Sequence, residues 1–220
     1  MVFRSSGASR RTLTSDIGGA DEPLAREYGF SLTAGGGLQL EWSAELALIH
    51  REGEPWRSTI DRAFAEGQLQ PDTVSARRIA TEAAVRLRTL SPAERGLLVT
   101  ANSADRAAIL WLAACRAYRI VGEFAVEVVS DRYQVFRTDL EPHDFDVFFE
   151  AKSISSVKLQ TATKSTRAKI RSLVFRFMRE ARILTEGGRI NGMLMTPVIF
   201  QILRSQPRDQ KYFPNNWRRI

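Results

Sequence analysis

The sequence predicts a mainly α-helical, compact, multi-helix globular fold with two helix-turn-helix motifs, the second winged-helix-like with a small β-hairpin. Three observations predict it. Apolar residues recur at three- and four-residue spacing in most segments after Tyr28. Cap and proline signals precede several of these segments. Near the end of the chain, Gly187-Gly188 separates two short apolar-leaning runs, a pattern typical of a hairpin.

Composition favours a folded, cytoplasmic protein. The chain has 220 residues, of which 44% are apolar and 26% charged, enough to bury a core. A single cysteine, Cys115, excludes a disulfide framework and fits a reducing cytoplasm. The N-terminus lacks the apolar run of a signal peptide. Residues 107–129 are apolar but contain four charges, so we predict a core helix there rather than a membrane span.

Four regions are predicted along the chain. They are a flexible N-terminal tail (1–26), an N-terminal helical region (27–137), a C-terminal winged-helix-like region (138–205) and a basic C-terminal tail (206–220).

The N-terminal region contains the first predicted helix-turn-helix, residues 55–90. One helix has Pro55 at its first position, and the next, 72–90, is predicted to be capped by Asp72. Ser91 and Glu94 have the spacing of a capping box. After it, one long core helix is predicted to run to about Phe136.

The C-terminal region has the order of a winged helix. A helix begins at Pro142, a short element follows near 154–159, and a long helix spans about 165–184 before the hairpin. In such folds the recognition helix enters the major groove of DNA while the hairpin contacts the backbone or minor groove. Arg189, on the hairpin, is a candidate for such a contact. Pro197 opens a last short helix.

Positive charge is concentrated in the last quarter of the chain. Residues 163–220 carry 13 Lys or Arg and 3 Asp or Glu, whereas residues 1–162 carry 19 and 22. Such asymmetry favours a polyanionic partner, most often nucleic acid. A solvated face that aids solubility is the alternative.

The helix at 165–184 carries much of this charge. Ile170, Val174 and Phe177 belong to a predicted buried stripe, and cations occupy the remaining arc, where Phe175 either packs on neighbouring helices or meets a partner. Cations at a helix N-terminus are unfavourable unless an anion binds, because the macrodipole is positive there. The predicted DNA contacts at this end are Lys164, Arg167, Lys169 and Arg171.

The first predicted recognition helix has a weaker signal. Polar and basic residues cluster in its first turns, as is typical of phosphate and base-edge contacts: Thr73, Ser75, Arg77 and Arg78. Helix capping, together with an Arg78–Glu82 pair one turn apart, explains the same residues equally well.

Catalytic and metal-binding patterns are weak. The TAGGGL loop at 33–38 lacks the Lys-Ser/Thr pair of a phosphate-binding loop, and a tight turn packed on a neighbour is the simpler interpretation. The acidic residues at 139–146 around His143 fit a helix N-terminus better than a metal site. No nucleophile–base constellation is visible and Cys115 has no adjacent histidine. We therefore expect no enzyme activity, cofactor or metal.

Five motifs in order resemble the BrxA family of bacterial BREX (bacteriophage exclusion) defence systems. They are YGFSLTAGGGL, TVSARRI, LAACRAYRIVGEFAVEVVSDRYQVF, LEPHDFDVFFE and STRAKIRSLVFRFMREARIL. Glu141 stands where the family pattern usually has Ser, which implies a weaker cap. The resemblance implies a monomeric, chiefly helical protein with two helix-turn-helix motifs that binds double-stranded DNA, while methyltransferase and ATPase activities belong to other BREX components.

These observations predict a non-enzymatic, double-stranded DNA-binding accessory protein of phage defence that contacts mainly phosphates and acts without a membrane. Two alternatives stay open. One is an adaptor that docks on larger BREX subunits through the basic face. The other is an RNA-binding helical protein, although aromatic platforms for unstacked bases are hard to identify.

Overall fold

Eleven α-helices make up most of the chain that the computed structural model describes, residues 27–215. They are α1 (Leu40–Ile49), α2 (Trp56–Ala65), α3 (Val74–Leu87), α4 (Pro92–Thr100), α5 (Ser103–Ala117), α6 (Arg119–Phe124), α7 (Asp131–Gln134), α8 (Pro142–Ser153), α9 (Val157–Gln160), α10 (Lys164–Glu180) and α11 (Pro197–Ser205). Two 3-10 turns (Ser31–Ala34 and Pro207–Tyr212) and a π-helical segment (Ala125–Ser130) accompany them. The expected N-terminal tail, 1–26, lies outside the described residues, as do residues 216–220.

Helix α5 is the centre of the core. Every residue from 107 to 115 is buried, and the helix contacts α1, α3, α4, α6, α10 and α11. Trp111 is fully buried, and its indole N–H donates to the carbonyl of Tyr212 at 2.9 Å. The mainly helical fold is therefore confirmed. None of the helices within residues 27–215 is long and apolar enough to cross a membrane.

Polar caps fix where several helices begin. The side-chain oxygen of each cap accepts from the backbone N–H three residues later: Thr73, Ser91, Asn102, Thr163 and Thr196. The capping box of Ser91 and Glu94 is confirmed. The prediction that Asp72 caps α3 was wrong, because Thr73 takes that role and Asp72 instead pairs with Arg77.

The single long helix predicted as far as Phe136 is broken at Tyr118. This residue has an extended backbone, φ −119° and ψ 107°, and its hydroxyl donates to buried Glu82 at 2.7 Å. A side chain at Gly122 would come within 2.6 Å of the carbonyl of Cys115, so the chain folds back closely after the break. The helical period of the sequence continues across Tyr118, which is why the pattern alone does not reveal the break.

The segment after α11 packs on the core. Tyr212 and Phe213 are buried, and Asp209 pairs with Arg116 at 2.5 Å. Burial raises the pKa of the Tyr212 hydroxyl to about 12. The start of the region expected as a basic tail is thus held in the structure as far as Asn215.

The predicted hairpin takes the form of isolated antiparallel bridges rather than strands within residues 27–215. Leu184 pairs with Ile190 across a turn at Gly188, whose φ is +78°. On its other side, Arg189 pairs with Asp139, just before α8. Backbone hydrogen bonds of 2.7–2.9 Å join the three segments. The segment after α10 is therefore tied to the start of α8.

Arg116 generates a prediction about stability. Its guanidinium bonds to the Thr89 carbonyl, to Glu94 at 2.8 Å and to Asp209, so Arg116→Leu leaves two buried carboxylates without their cation. We expect the free energy of unfolding in urea at neutral pH to fall by about 3 kcal/mol.

The stability difference between wild type and Arg116→Leu should depend on pH. Burial alone would raise the pKa of Glu94, but hydrogen bonds from Arg116 outweigh it and lower the pKa below its usual value. The stabilisation is thus complete above the unfolded pKa of about 4.3 and is lost as pH falls through the lower folded value. The difference between wild type and Arg116→Leu should shrink below about pH 4. An equal difference at pH 7 and pH 3 contradicts this account.

Candidate nucleic-acid interface

Helix α10 has one buried side and one basic side. Ile170, Val174 and Phe177 are fully buried, which confirms the predicted stripe. Phe175 is buried as well, with its ring centroid 6.4 Å from that of Phe124, so it packs on neighbouring helices. The exposed positions lie mainly towards the N-terminal end of the helix. The fold thus holds α10 by its apolar side and presents the first turns to solvent.

Two of the four predicted DNA contacts on α10 already have carboxylate partners. Arg167 lies 3.3 Å from the carboxylate of Asp146 and 2.7 Å from that of Glu150, and also bonds to the Asp146 carbonyl. Arg171 pairs with the other oxygen of Asp146. Arg167 also lies over the ring of Phe149, at 5.0 Å. A phosphate at either arginine would have to compete with these carboxylates.

The other two, Lys164 and Lys169, are exposed and form no ion pair with any residue in 27–215. Thr163 caps the helix beside them, with its hydroxyl accepting from the Thr166 N–H at 3.1 Å. Lys164 is in the first turn of α10, at the positive end of the helix macrodipole, and Lys169 is in the second turn. Neither ammonium group has a compensating anion from the described chain.

The acidic residues on α8 and the arginines they bind on α10 have the same four-residue spacing. Asp146 and Glu150 are four residues apart on α8, and Arg167 and Arg171 are four apart on α10, so each pair lies on one face of its helix. The acidic pair was missed from the sequence, where Asp146 was interpreted only as a helix-terminal acid and Glu150 was not singled out. The shared spacing is the signal that could have revealed their role.

Some of the predicted DNA-contact residues on α3 already bind other residues of the chain. Arg77 donates to both oxygens of Asp72 at 2.7 and 2.9 Å and to Asp61 at 2.6 Å. The hydrogen bonds from Arg77 to Asp72 lower the pKa of that carboxyl. Thr73 is the helix cap. Ser75 and Arg78 remain exposed at the start of α3.

Two charged residues farther along α3, Glu82 and Arg86, are buried. Glu82 accepts from Tyr118 and forms no ion pair with Arg78. Arg86 is fully buried, donates to the carbonyl of Leu38 at 3.1 Å and lies 5.6 Å from the Phe177 ring centroid. Burial lowers the pKa of Arg86. Glu82 and Arg86 are therefore unavailable to a partner.

The segment after α10 adds two exposed arginines, Arg182 and Arg189. Arg189 is on the bridge that pairs with Asp139, and its guanidinium is 3.4 Å from the Thr138 hydroxyl. Arg182 follows the C-terminus of α10 with a φ of +59°. Both side chains are therefore exposed beside the turn at Gly188.

The glycine loop binds a carboxylate of the same chain. The N–H of Leu38 donates to Glu180 at 2.6 Å, and a side chain at Gly37 would come within 2.7 Å of that carboxylate. Arg176 holds Glu180 from the other side at 2.7 Å. The close-packed turn is the correct interpretation of TAGGGL. The Leu38 N–H already donates to Glu180 and is not free to bind a phosphate.

The remaining reactive groups have structural partners. Asp144 accepts from the N–H of Glu141 at 2.8 Å and pairs with Arg132. Burial raises the pKa of the Cys115 thiol well above its usual value. His50 stacks on Trp56 with ring centroids 3.8 Å apart. Among residues 27–215, no group of three His, Cys, Asp or Glu side chains could hold a metal ion.

Comparison with protein-family models shows the family of this chain. The family model of BrxA matches residues 26–207. The chain belongs to the BrxA family. It is therefore a BREX phage-defence protein, as its motifs imply. The match covers both candidate basic sites but not residues 1–25 or 208–220.

A solved structure has a similar fold. The crystal structure of an uncharacterized protein from Magnetospirillum magneticum resembles this chain with a TM-score of 0.73 and 21% sequence identity. The similarity covers 84% of this chain and 96% of that one. At this identity the likeness concerns the fold alone. The search of curated proteins gave no match.

The ion pairs of Asp146 predict a measurable coupling. Asp146→Ala should lower the free energy of unfolding by about 1 kcal/mol, since its partners are partly exposed. A double-mutant cycle with Arg171→Ala, measured by urea denaturation, should give an interaction energy above about 0.5 kcal/mol. As a control, Glu150→Ala should cost less, because that carboxylate is 70% exposed. Additive effects of Asp146→Ala and Arg171→Ala would show that the ion pair between these two residues does not hold α8 and α10 together.

Proposed function

We propose that this BrxA-family protein is a non-enzymatic, monomeric accessory factor of BREX defence that binds double-stranded DNA mainly through phosphates. The observation that carries the proposal is the exposed start of α10, where Lys164 and Lys169 have no carboxylate partner among the described residues. Ammonium groups at a helix N-terminus attract phosphate through both their own charge and the macrodipole.

The arrangement of elements supports a winged-helix-like reading of the C-terminal region. Helices α8 and α9 precede α10, and the bridged segments around Gly188 follow it. In the proposal, α10 is the recognition helix and the turn at Gly188 is the wing. Arg189, exposed on that turn, would contact the backbone of the same duplex.

Helices α2 and α3 form the second proposed helix-turn-helix. Because Arg77 is held by Asp72 and Asp61, this unit would contact DNA through Ser75 and Arg78. Phosphate contacts carry no sequence information, so we expect weak base specificity.

An adaptor role is the second candidate, and exposed apolar side chains favour it. Val147 is on α8, Ile154 directly follows the last residue of that helix, and Val157 begins α9. Their exposed fractions are 56%, 81% and 74%. Clustered exposed apolar residues mark protein interaction sites. A BREX subunit could dock here while α10 contacts DNA.

Removal of the two free lysines tests the DNA proposal. Lys164→Ala/Lys169→Ala should weaken duplex binding and reduce the slope of log affinity against log salt by about 2, roughly 0.9 per lost phosphate contact. The measurement is fluorescence anisotropy with duplex, single-stranded DNA and RNA at several salt concentrations.

The charge-matched control is Arg51→Ala/Arg88→Ala, which removes two exposed cations elsewhere. It should leave the slope nearly unchanged. Equal losses in both variants would mean non-specific charge attraction, and tighter binding to RNA than to duplex would overturn the proposal in favour of RNA.

The adaptor candidate makes a separate prediction. Ile154→Asp/Val157→Asp should abolish co-purification with other BREX subunits after nuclease treatment while leaving duplex affinity unchanged. Leu48→Asp, at an exposed apolar position on α1, is the matched control and should retain the partners. Retention of all partners by the double variant would eliminate this surface.

A further inference from the structure

Two helices end in a left-handed residue that is not glycine. Phe136 follows the end of α7 and Arg182 follows the end of α10, each with a φ of +59°. Backbone hydrogen bonds of 2.8–3.2 Å close both caps, from the left-handed residue and the one after it to the last turn of the helix. The same cap at the end of α2 has Gly67, with a φ of +74°. Glycine is the usual residue at this position because a Cβ destabilises the left-handed conformation. The chain therefore keeps two large side chains where the backbone favours glycine.

Packing does not explain the ring of Phe136. It is 82% exposed, the largest exposed fraction of any large apolar side chain in residues 27–215. Arg182 is also exposed and forms no ion pair within the same residues. A cation at a helix C-terminus is favourable, which accounts for Arg182 but not for a phenylalanine. Residues held in strained backbone conformations cluster at binding sites, so the exposed ring points to a partner.

Phe136 and Arg182 flank the bridged segment around Gly188 on its two sides. Two antiparallel bridges join that segment to its neighbours: Asp139–Arg189 and Leu184–Ile190. Counting along the paired segments from either bridge, Phe136 and Arg182 both fall opposite Gly192. The Tyr133 hydroxyl lies so close to Gly192 that a side chain there would clash with it, so α7 packs directly on this segment. The two left-handed residues are therefore neighbours of one surface feature.

Basic side chains surround the ring. Arg137 follows Phe136 in the sequence and is exposed, as is Arg189 on the adjoining segment. Two acids accompany them: Asp139 pairs with Arg189 in the bridge, and Glu186 lies 3.5 Å from Arg179. An exposed apolar ring among guanidinium groups fits a partner that is anionic outside and stacked inside, which describes duplex DNA.

The length of α10 matches the spacing of DNA grooves. Thirteen residues separate Lys169 from Arg182, which corresponds to about 20 Å at the rise of an α-helix. Half a helical turn of duplex, the distance from a major groove to the next minor groove, is about 17 Å. With the first turns of α10 in a major groove, the segment around Gly188 is therefore close enough to reach the adjacent minor groove.

We propose that Phe136 is an apolar wedge that enters this minor groove and opens a base step, with Arg137 and Arg182 on the flanking phosphates. Apolar side chains inserted in this way unstack the step and kink the duplex. The preferred ligand is then a duplex that is already easy to kink, such as one with a mismatch. This inference rests on the proposed function, because it requires that the protein bind duplex DNA.

The test compares two duplexes of the same length, one fully paired and one with a single central mismatch, by fluorescence anisotropy with the full chain. We expect the wild type to bind the mismatched duplex about fivefold tighter, because part of the unstacking cost is already met. Phe136→Asn should bind both duplexes equally, with an unchanged salt slope since no charge is lost. Phe136→Leu keeps an apolar wedge and should retain part of the preference. Leu48→Asn, at an exposed apolar position on α1, is the matched control and should retain all of it.

Stability separates a wedge from a packing residue. Asparagine tolerates the left-handed conformation better than phenylalanine, so the urea midpoint of Phe136→Asn should equal or exceed that of the wild type. A variant that is at least as stable yet loses the mismatch preference has lost a contact with DNA. A lower midpoint would show that the ring stabilises the fold, and would overturn the proposal.

The phosphate contact of Arg182 has its own readout. Arg182→Ala should reduce the salt slope by about 0.9 on both duplexes. An unchanged slope would overturn this contact while leaving the wedge.

The remaining outcomes distinguish the wedge from the proposed function. Equal wild-type affinity for the two duplexes would overturn the wedge and leave duplex binding intact, as would a mismatch preference that persists in Phe136→Asn. Tighter binding to the single strand than to either duplex would assign the ring to stacking on unpaired bases, which also overturns the wedge. Absence of binding to both duplexes would refute the proposed function itself.

Discussion

The pairing of Asp146 with Arg167 and Arg171 sets the geometry on which the candidate interface depends. One carboxylate on α8 binds two guanidinium groups one turn apart on α10, and Glu150 adds a second carboxylate to Arg167. These contacts join α8 to the half of α10 that is least buried. The first buried residue of α10 is Ile170. The turns before it therefore depend on these ion pairs for their orientation.

These ion pairs with Asp146 and Glu150 divide the basic residues of α10 into two groups. Arg167 and Arg171 hold helices together, whereas Lys164 and Lys169 face solvent without a carboxylate partner in the described chain. The division matches the chemistry of the side chains. Guanidinium groups suit bidentate and stacked contacts in partly buried sites, and an ammonium group binds phosphate as a point charge without a fixed geometry. A similar division operates on α3, where Arg77 is held by Asp72 and Asp61 while Arg78 is exposed.

Local signals in the sequence predicted much of the fold. The buried stripe of α10, the capping box at Ser91 and the start of α11 depend on short-range periodicity and capping, and all were correct. The failures arose from long-range contacts. Tyr118 breaks a helix where its hydroxyl meets Glu82, 36 residues away, and Asp209 holds the expected tail through Arg116, 93 residues away. The candidate site was predictable as a basic helix, but which cations are free depends on a neighbouring helix.

The central claim is that Lys164 and Lys169 contact duplex DNA. Reductive ¹³C-methylation of the five lysines keeps their charge and gives each one a separate NMR signal. On titration with a duplex, the signals of Lys164 and Lys169 should move most, while that of Lys152, paired with Glu123 and Glu127, should stay in place. Stationary signals from Lys164 and Lys169 in the presence of saturating duplex would contradict the account.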